Sequence, residues 1–378
     1  MKMSSASRPS LRILGIRGIP AAHGGFETFA ERLALYLHER GWSVTVYCQE
    51  DGTRPLFEDH WSGIRRVRIP ISTPGPAGTV VFDWKSIGHA AREPGICLTL
   101  GYNTALFCAR LRLAGVPNAI NMDGIEWRRA KWGRLAKVWF WVNERVGAWL
   151  GNQLVADHPE IARHLARLVS ADKITTIAYG ADRLEGLDDG PLRAFGLVPG
   201  RYLTLIARPE PENSVLEVVR GFSRRPRGMT LAVLGAYADD HAYHRAVKSA
   251  AGGEVRFLGA IYDKPVVNAL RYHAAAYVHG HRVGGTNPSL VEALGAGNAV
   301  LAHDNVFNRW VAGEAARYFD GEQGFAEALD RLEREPATLQ TLRLAARRRF
   351  GAVFEWPMIL GDYEALLARM AAQPLQRR

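Results

Sequence analysis

Residues 279–303 read HGHRVGGTNPSLVEALGAGNAVLAH, and this stretch constrains the fold more than any other. An apolar run at 274–278 leads into it with the look of a buried strand. A loop follows, holding Gly284, Gly285, Thr286, Asn287 and Pro288. Leu290, Ala293 and Leu294 then recur at helical spacing, and Gly295 and Gly297 stop the helix before a second apolar run at 299–302. Strand, glycine loop, helix and strand in that order predict an anion site. The first amides of a helix lack intrahelical partners, the helix dipole favours negative charge there, and glycines allow close approach. Thr286 or Asn287 can cap the helix, with Pro288 and Ser289 in its first turn. An ordinary capped helix in an α/β domain explains the cap alone. The Gly-Gly pair and Glu292, one turn into the helix and within reach of a ligand across its start, favour the ligand reading.

The same residues carry a family resemblance. Retaining nucleotide-sugar glycosyltransferases of family 4 have a loop and helix here with two glutamates eight positions apart. The first faces the donor sugar and the second binds the nucleotide ribose. Glu292 matches the second, and Gly284 stands where the first is expected. The wording GGTNPSLVEAL resembles the bacterial rhamnosyltransferase branch, where this departure recurs. The resemblance implies a GT-B fold: two doubly wound α/β domains facing across a cleft, with a C-terminal helix crossing back to the first.

The chain has 378 residues, enough for two domains of ordinary size. With 47% hydrophobic and 23% charged residues it belongs with globular rather than disordered chains. Cys48, Cys97 and Cys108 all lie in or beside apolar runs, as expected of reduced core thiols in a cytosolic protein. No apolar run approaches the roughly 20 residues of a spanning helix, and the N-terminal ten residues lack a signal segment, so a cytoplasmic location is expected. The net charge of +10 suits anionic partners. No zinc finger, RNA-recognition motif or basic zipper is present, so nucleic acid is not expected, and anionic substrate or membrane surface is favoured.

Along the chain, 11–16 is a short apolar strand, and Gly18, Pro20, Gly24 and Gly25 break it before a helix. Phe26, Phe29, Ala30, Leu33 and Leu37 share one face of that helix, Gly41 ends it, and 43–48 returns as a strand. This βαβ unit resembles a Rossmann fold without the G-x-G-x-x-G fingerprint, which weakens a nicotinamide reading. GIRGIPAAHGGFETF resembles the rhamnosyltransferase-type opening, which implies that the loop of Gly24 and Gly25 reaches the donor diphosphate. Further strands are expected near 64–70, 96–101, 119–122, 153–156 and 174–177. The segment 181–200 turns polar and rich in Gly, Pro and Asp, the mark of a linker. Strands then restart at 202–207, 230–234, 255–258, 276–278 and 299–302. The expected domains are 1–182 on the acceptor side, 183–352 for the nucleotide sugar, and 353–378 as the returning helix.

Arg208 ends the first strand of the second array, and strand C-termini in such sheets point into the ligand crevice. A guanidinium there can bind a diphosphate through paired hydrogen bonds. Pairing with Glu210 or Glu212 is the alternative. The family usually has a lysine five positions later, where this chain has Asn213; Arg282 or Lys264 are the candidate replacements. The turn 259–262 occupies the family's nucleobase position, and Tyr262 either meets the base or caps the core. In NMDGIEWRRAKW, Asp123 and Glu126 are candidates to orient an acceptor hydroxyl, against a turn role for Asp123 and an ion pair with Arg129 for Glu126. Residues 131–150 mix Trp132, Trp139, Trp141 and Trp149 with Arg134, Lys137 and Arg145, which suits either a membrane interface or a core helix. His23, His279 and His281 flank the glycine loops without metal-ligand spacing, and no metal or other cofactor is expected.

Together these features and the resemblance imply transfer of a sugar, rhamnose from dTDP-rhamnose, to a hydroxyl of a growing, lipid-linked surface glycan with retention. A UDP-hexose donor, or an inactive sugar-nucleotide-binding scaffold, are the alternatives.

Overall fold

The computed structural model describes residues 8–22 and 24–372, and the chain divides into two compact units, 1–178 with 357–378 and 179–356. The first unit opens with β1 (Ser10–Leu14), α1 (Gly25–Glu39), β2 (Ser43–Asp51), β3 (Phe57–Trp61), β4 (Ile64–Ile71), α2 (Gly75–Ala90) and β5 (Ile96–Leu100). It continues through α3 (Ala109–Leu113), β6 (Asn118–Asn121), α4 (Arg134–Leu150), β7 (Gln153–Ala156), α5 (Pro159–Leu165) and β8 (Ile174–Thr176). Its sheet has the order β3-β4-β2-β1-β5-β6-β7-β8, parallel throughout except for the β3–β4 pair. Central strands such as β5 are buried along their whole length, as a sheet covered by helices on both faces requires.

The second unit contains β9 (Tyr202–Ile206), α6 (Val215–Ser223), β10 (Thr230–Leu234), α7 (Ala242–Ser249), β11 (Val255–Gly259), α8 (Lys264–Tyr272) and β12 (Ala276–His279). After these come α9 (Pro288–Gly295), β13 (Ala299–His303), α10 (Val306–Ala312), β14 (Ala316–Phe319), α11 (Gly321–Arg334) and α12 (Pro336–Val353). The six strands are all parallel, in the order β11-β10-β9-β12-β13-β14. Leu203, Leu205, Val218, Phe222, Val278 and Leu301 form the centre of its core. In each sheet the strand order reverses beside the first strand, between β1 and β5 and again between β9 and β12. Ligand crevices of doubly wound sheets open at the strand C-termini of that reversal.

Two sequence expectations need correction. The polar segment 181–200 is no linker. Leu192 and Leu197 are buried in a cluster with Tyr202, Leu234 and Leu270, and Leu184 N donates to Gly295 O at 3.0 Å. Strands β3 and β14 were not expected at all. The former, FEDHW, pairs antiparallel with β4 at the sheet edge, where Arg66 forks onto Asp59 with both bonds at 2.7 Å. The last helix, α13 (Trp356–Ala372), contributes residues from Pro357 onward to the first unit. There Tyr363 is fully buried, accepts from Asn121 Nδ2 at 2.9 Å and stands 4.5 Å from the Phe29 ring.

Candidate functional site

In the second unit, the reversal between β9 and β12 brings together the loop after each strand. Asn287 caps α9: its side-chain oxygen accepts from Ser289 N at 3.0 Å. Pro288 occupies the first turn, where its missing N–H loses nothing. Ser289 Oγ hydrogen-bonds the Tyr277 hydroxyl at 2.8 Å and reaches Ile206 O, the end of β9, at 3.4 Å. The start of α9 is thereby fixed against the strand that leads into Arg208. Arg208 itself is exposed, and its guanidinium makes no hydrogen bond or ion pair among the described residues. The expected alternative, pairing with Glu210 or Glu212, is not made.

Glu292 ion-pairs through Oε2 with Arg271, which is buried and also lies 3.5 Å from Ser289 Oγ. Its Oε1 has no hydrogen bond among the described residues. The buried guanidinium thus fixes the carboxylate while one oxygen stays open. Sequence reasoning missed Arg271 because an arginine at the end of α8 reads as an ordinary C-terminal cation. It missed Tyr277 because a tyrosine inside an apolar strand reads as core.

The loop before α9 differs in kind from the rest. Gly284 has φ +143, a backbone that side-chain-bearing residues rarely adopt, although a Cβ there would meet nothing within 4 Å. Gly284 therefore stands on a loop path that favours glycine. Gly285 follows it, and Thr286 is buried. Asn213, where a lysine was expected, is buried and donates through Nδ2 to Arg208 O at 2.8 Å, so it closes the loop after β9. Arg282 is also committed elsewhere, to Ser214 Oγ at 2.8 Å and to Glu217 at 2.6 Å. Lys264 lies exposed at the first residue of α8, and Tyr262 just before that helix is 86% exposed, so it does not cap the core.

His279 is wholly buried and stacks on His281 with centroids 4.3 Å apart. Burial first, and the neighbouring histidines second, hold it well below the usual imidazole range, so it is neutral. The His281 carbonyl accepts from Asn305 at 3.0 Å and Asn308 at 2.8 Å, which braces the loop. His23 lies outside the described residues.

In the first unit, Gly24 precedes α1 with an extended backbone, and Gly25 is the helix's first residue. Acids on that helix brace the loop: Glu31 accepts from Ala21 N at 2.6 Å, and Glu27 from Arg17 N at 3.4 Å. Asp123 follows β6 at φ +49, the left-handed region that Asp tolerates better than most residues. Burial, then the nearby Glu126, pushes its carboxyl up to about 6. Both Glu126 oxygens are engaged within the loop, one by Arg129 at 2.8 Å and the other by Trp132 Nε1 at 2.9 Å. Glu126 therefore shapes the loop.

A family model described as "Domain of unknown function (DUF1972)" matches residues 9–182. No curated protein matches the chain. Several solved structures share its fold over nearly the full length. Sucrose-phosphate synthase from Thermosynechococcus elongatus aligns at TM-score 0.81 with 17% identity, over 96% of this chain and 99% of that one. Anabaena HepE in complex with UDP aligns at 0.74 with 14% identity, over 96% and 100%. The α,α-trehalose-phosphate synthase (UDP-forming) of Burkholderia xenovorans aligns at 0.70 with 13% identity, over 96% and 100%. The architecture is the GT-B fold.

Proposed function

We propose that the chain is a retaining glycosyltransferase that moves a sugar from a nucleoside diphosphate to a hydroxyl of a lipid-linked surface glycan, with dTDP-rhamnose as donor. One observation carries the reading. At the reversal of the second sheet an unpartnered guanidinium on the loop after β9 accompanies the capped start of α9 and a half-committed carboxylate one turn into that helix, a complementary set for diphosphate and ribose. The fold likeness and the resemblance of GGTNPSLVEAL support the reaction class; the departure at Gly284 supports the rhamnosyl branch.

In this reading the nucleoside diphosphate is the leaving group. As the bond between C1 and the phosphate oxygen breaks, Arg208 and the positive end of the α9 dipole stabilise the developing negative charge. The acceptor hydroxyl oxygen forms the new bond on the same face, and its proton passes to a donor phosphate oxygen. That scheme, which the family resemblance implies, needs no carboxylate pair of glycosidase type. Asp123 orients the acceptor hydroxyl, and Glu292 receives the ribose hydroxyls.

A UDP-hexose donor is the second reading, favoured by the UDP named in the HepE and trehalose-phosphate synthase structures. A binding scaffold without turnover is the third, favoured by the commitment of Asn213 to the backbone. Thermal-shift titration with a nucleotide panel, followed by mass spectrometry of products from dTDP-rhamnose and a lipid-linked acceptor, tests all three. Preferential stabilisation by dTDP and a mass gain of one deoxyhexose are expected. Stronger stabilisation by UDP overturns the donor, and nucleotide binding without product overturns the enzyme.

A further inference from the structure

Helix α4 is inverted relative to an ordinary surface helix. Its inward face carries Asn143 and Glu144, both buried, beside Phe140 and Leu150 and the small residues Gly147 and Ala148. Its outward face carries Leu135, 88% exposed, Val138, 60% exposed, then Trp139, Val142 and Trp149, 66% exposed, at helical spacing. Trp141, 44% exposed, widens the stripe. The inward polar groups are satisfied. Glu144 accepts from Trp127 Nε1 at 3.1 Å and Arg145 at 3.2 Å and bonds His164 at 3.0 Å, while Asn143 accepts from Leu106 N at 3.0 Å. The inversion is therefore a folded arrangement with its polar atoms bonded. Solvent exposure of so many contiguous large apolar side chains marks an interaction surface.

The charges around it identify the occupant. Lys131, Arg134, Lys137 and Arg145 lie on or just before α4, and the guanidinium groups of Arg112 and Arg145 sit over Trp149 and Trp141 at 5.6 and 3.7 Å. The one carboxylate of α4, Glu144, faces inward. A tryptophan and aliphatic stripe flanked on its own helix by cations is complementary to an anionic lipid surface, where indoles settle at the headgroup level and cations meet lipid phosphate. Among the described residues no helix is long and apolar enough to cross a membrane, so this contact is peripheral. The acceptor-side loop is strapped to the same helix: the Trp132 ring meets Phe140 at a tilt, centroids 5.0 Å apart, and Trp127 bonds Glu144.

We propose that the outward face of α4 docks on an anionic membrane, and that docking brings the loop of Asp123 to the lipid surface from which acceptor is taken. The second clause rests on the function proposed above; the docking does not. Flotation with phosphatidylglycerol-containing vesicles tests it, beside purely phosphatidylcholine vesicles. Wild-type protein is expected to float with the anionic vesicles, less so as salt rises. Leu135→Ser with Val138→Ser should weaken binding about tenfold or more, and Arg134→Glu with Lys137→Glu should abolish the preference for anionic lipid. Neither pair touches the proposed nucleotide site, so dTDP binding without vesicles should be unchanged in both variants. Failure of wild-type protein to float, or flotation indifferent to both pairs, overturns the docking and leaves the donor site standing. Self-association that the serine pair abolishes, without vesicle binding, overturns it in favour of a second copy. Normal docking with no dTDP binding instead removes the proposed function and leaves the surface intact.

Discussion

Glu292→Ala probes the donor site most sharply. In the free protein Glu292 Oε2 pairs with Arg271, and Oε1 is open to a ribose hydroxyl. A hydrogen bond to a charged acceptor contributes about 1.5–3 kcal/mol. Its loss corresponds to a roughly 10- to 150-fold rise in the dissociation constant for a nucleoside diphosphate. The substitution also leaves the buried Arg271 without its carboxylate. Glu292 is more than a third exposed, so that stability loss should be modest, about 1 kcal/mol. Glu292→Gln separates the two effects. It keeps a hydrogen-bond acceptor for Arg271 and loses the charge that strengthens the ribose contact. Isothermal titration with dTDP, alongside thermal melting of the unliganded variants, gives both numbers. The expected order of affinity is parent, then Gln, then Ala, with melting curves that remain cooperative. A folded Glu292→Ala variant with unchanged affinity would refute the ribose assignment.

Arg208→Ala should lower turnover roughly 100- to 1,000-fold, the scale of one oxyanion donor. Its melting temperature should hardly move, because the side chain is exposed and unpartnered; unchanged turnover would remove its role. For Asp123 the folded carboxyl titrates near 6, above its unfolded value, so its burial penalises the charged form. Stability should therefore fall as pH rises from about 4 through 6. Asp123→Asn should be about 1 kcal/mol more stable than the parent at pH 7 and equal to it near pH 4, as chemical denaturation at both values will show. The same titration predicts a limb near pH 6 in kcat/KM, rising with pH, that Asp123→Asn lacks; a parent profile flat through that region would exclude Asp123 from acceptor orientation.

Much of the architecture was legible because buried parallel strands are short apolar runs between helical periods, as at 230–234 and 153–156. Edge strands escaped that logic. FEDHW pairs through its backbone and through Arg–Asp bonds across the ladder, which leave no apolar signature. Residues 181–200 looked like a linker because Gly, Pro and Asp break up their apolar residues, yet Leu192 and Leu197 are core. The loop at 284–289 was legible from its glycines, Asn287 and Pro288, since local chemistry dictates the cap. The Arg271–Glu292 pair was not, because it joins the end of one helix to the second turn of another. Helix α4 shows the same limit. Its composition announced both apolar and polar faces, but only the tertiary partners of Asn143 and Glu144 decide which face is inside.

A crystal structure of the chain with dTDP tests most directly whether a nucleoside diphosphate sits at the start of α9. The β-phosphate is expected at the start of α9 with the Arg208 guanidinium beside it, and the ribose hydroxyls against Glu292. A nucleotide seated away from α9, with Arg208 and Glu292 both unoccupied, would contradict it.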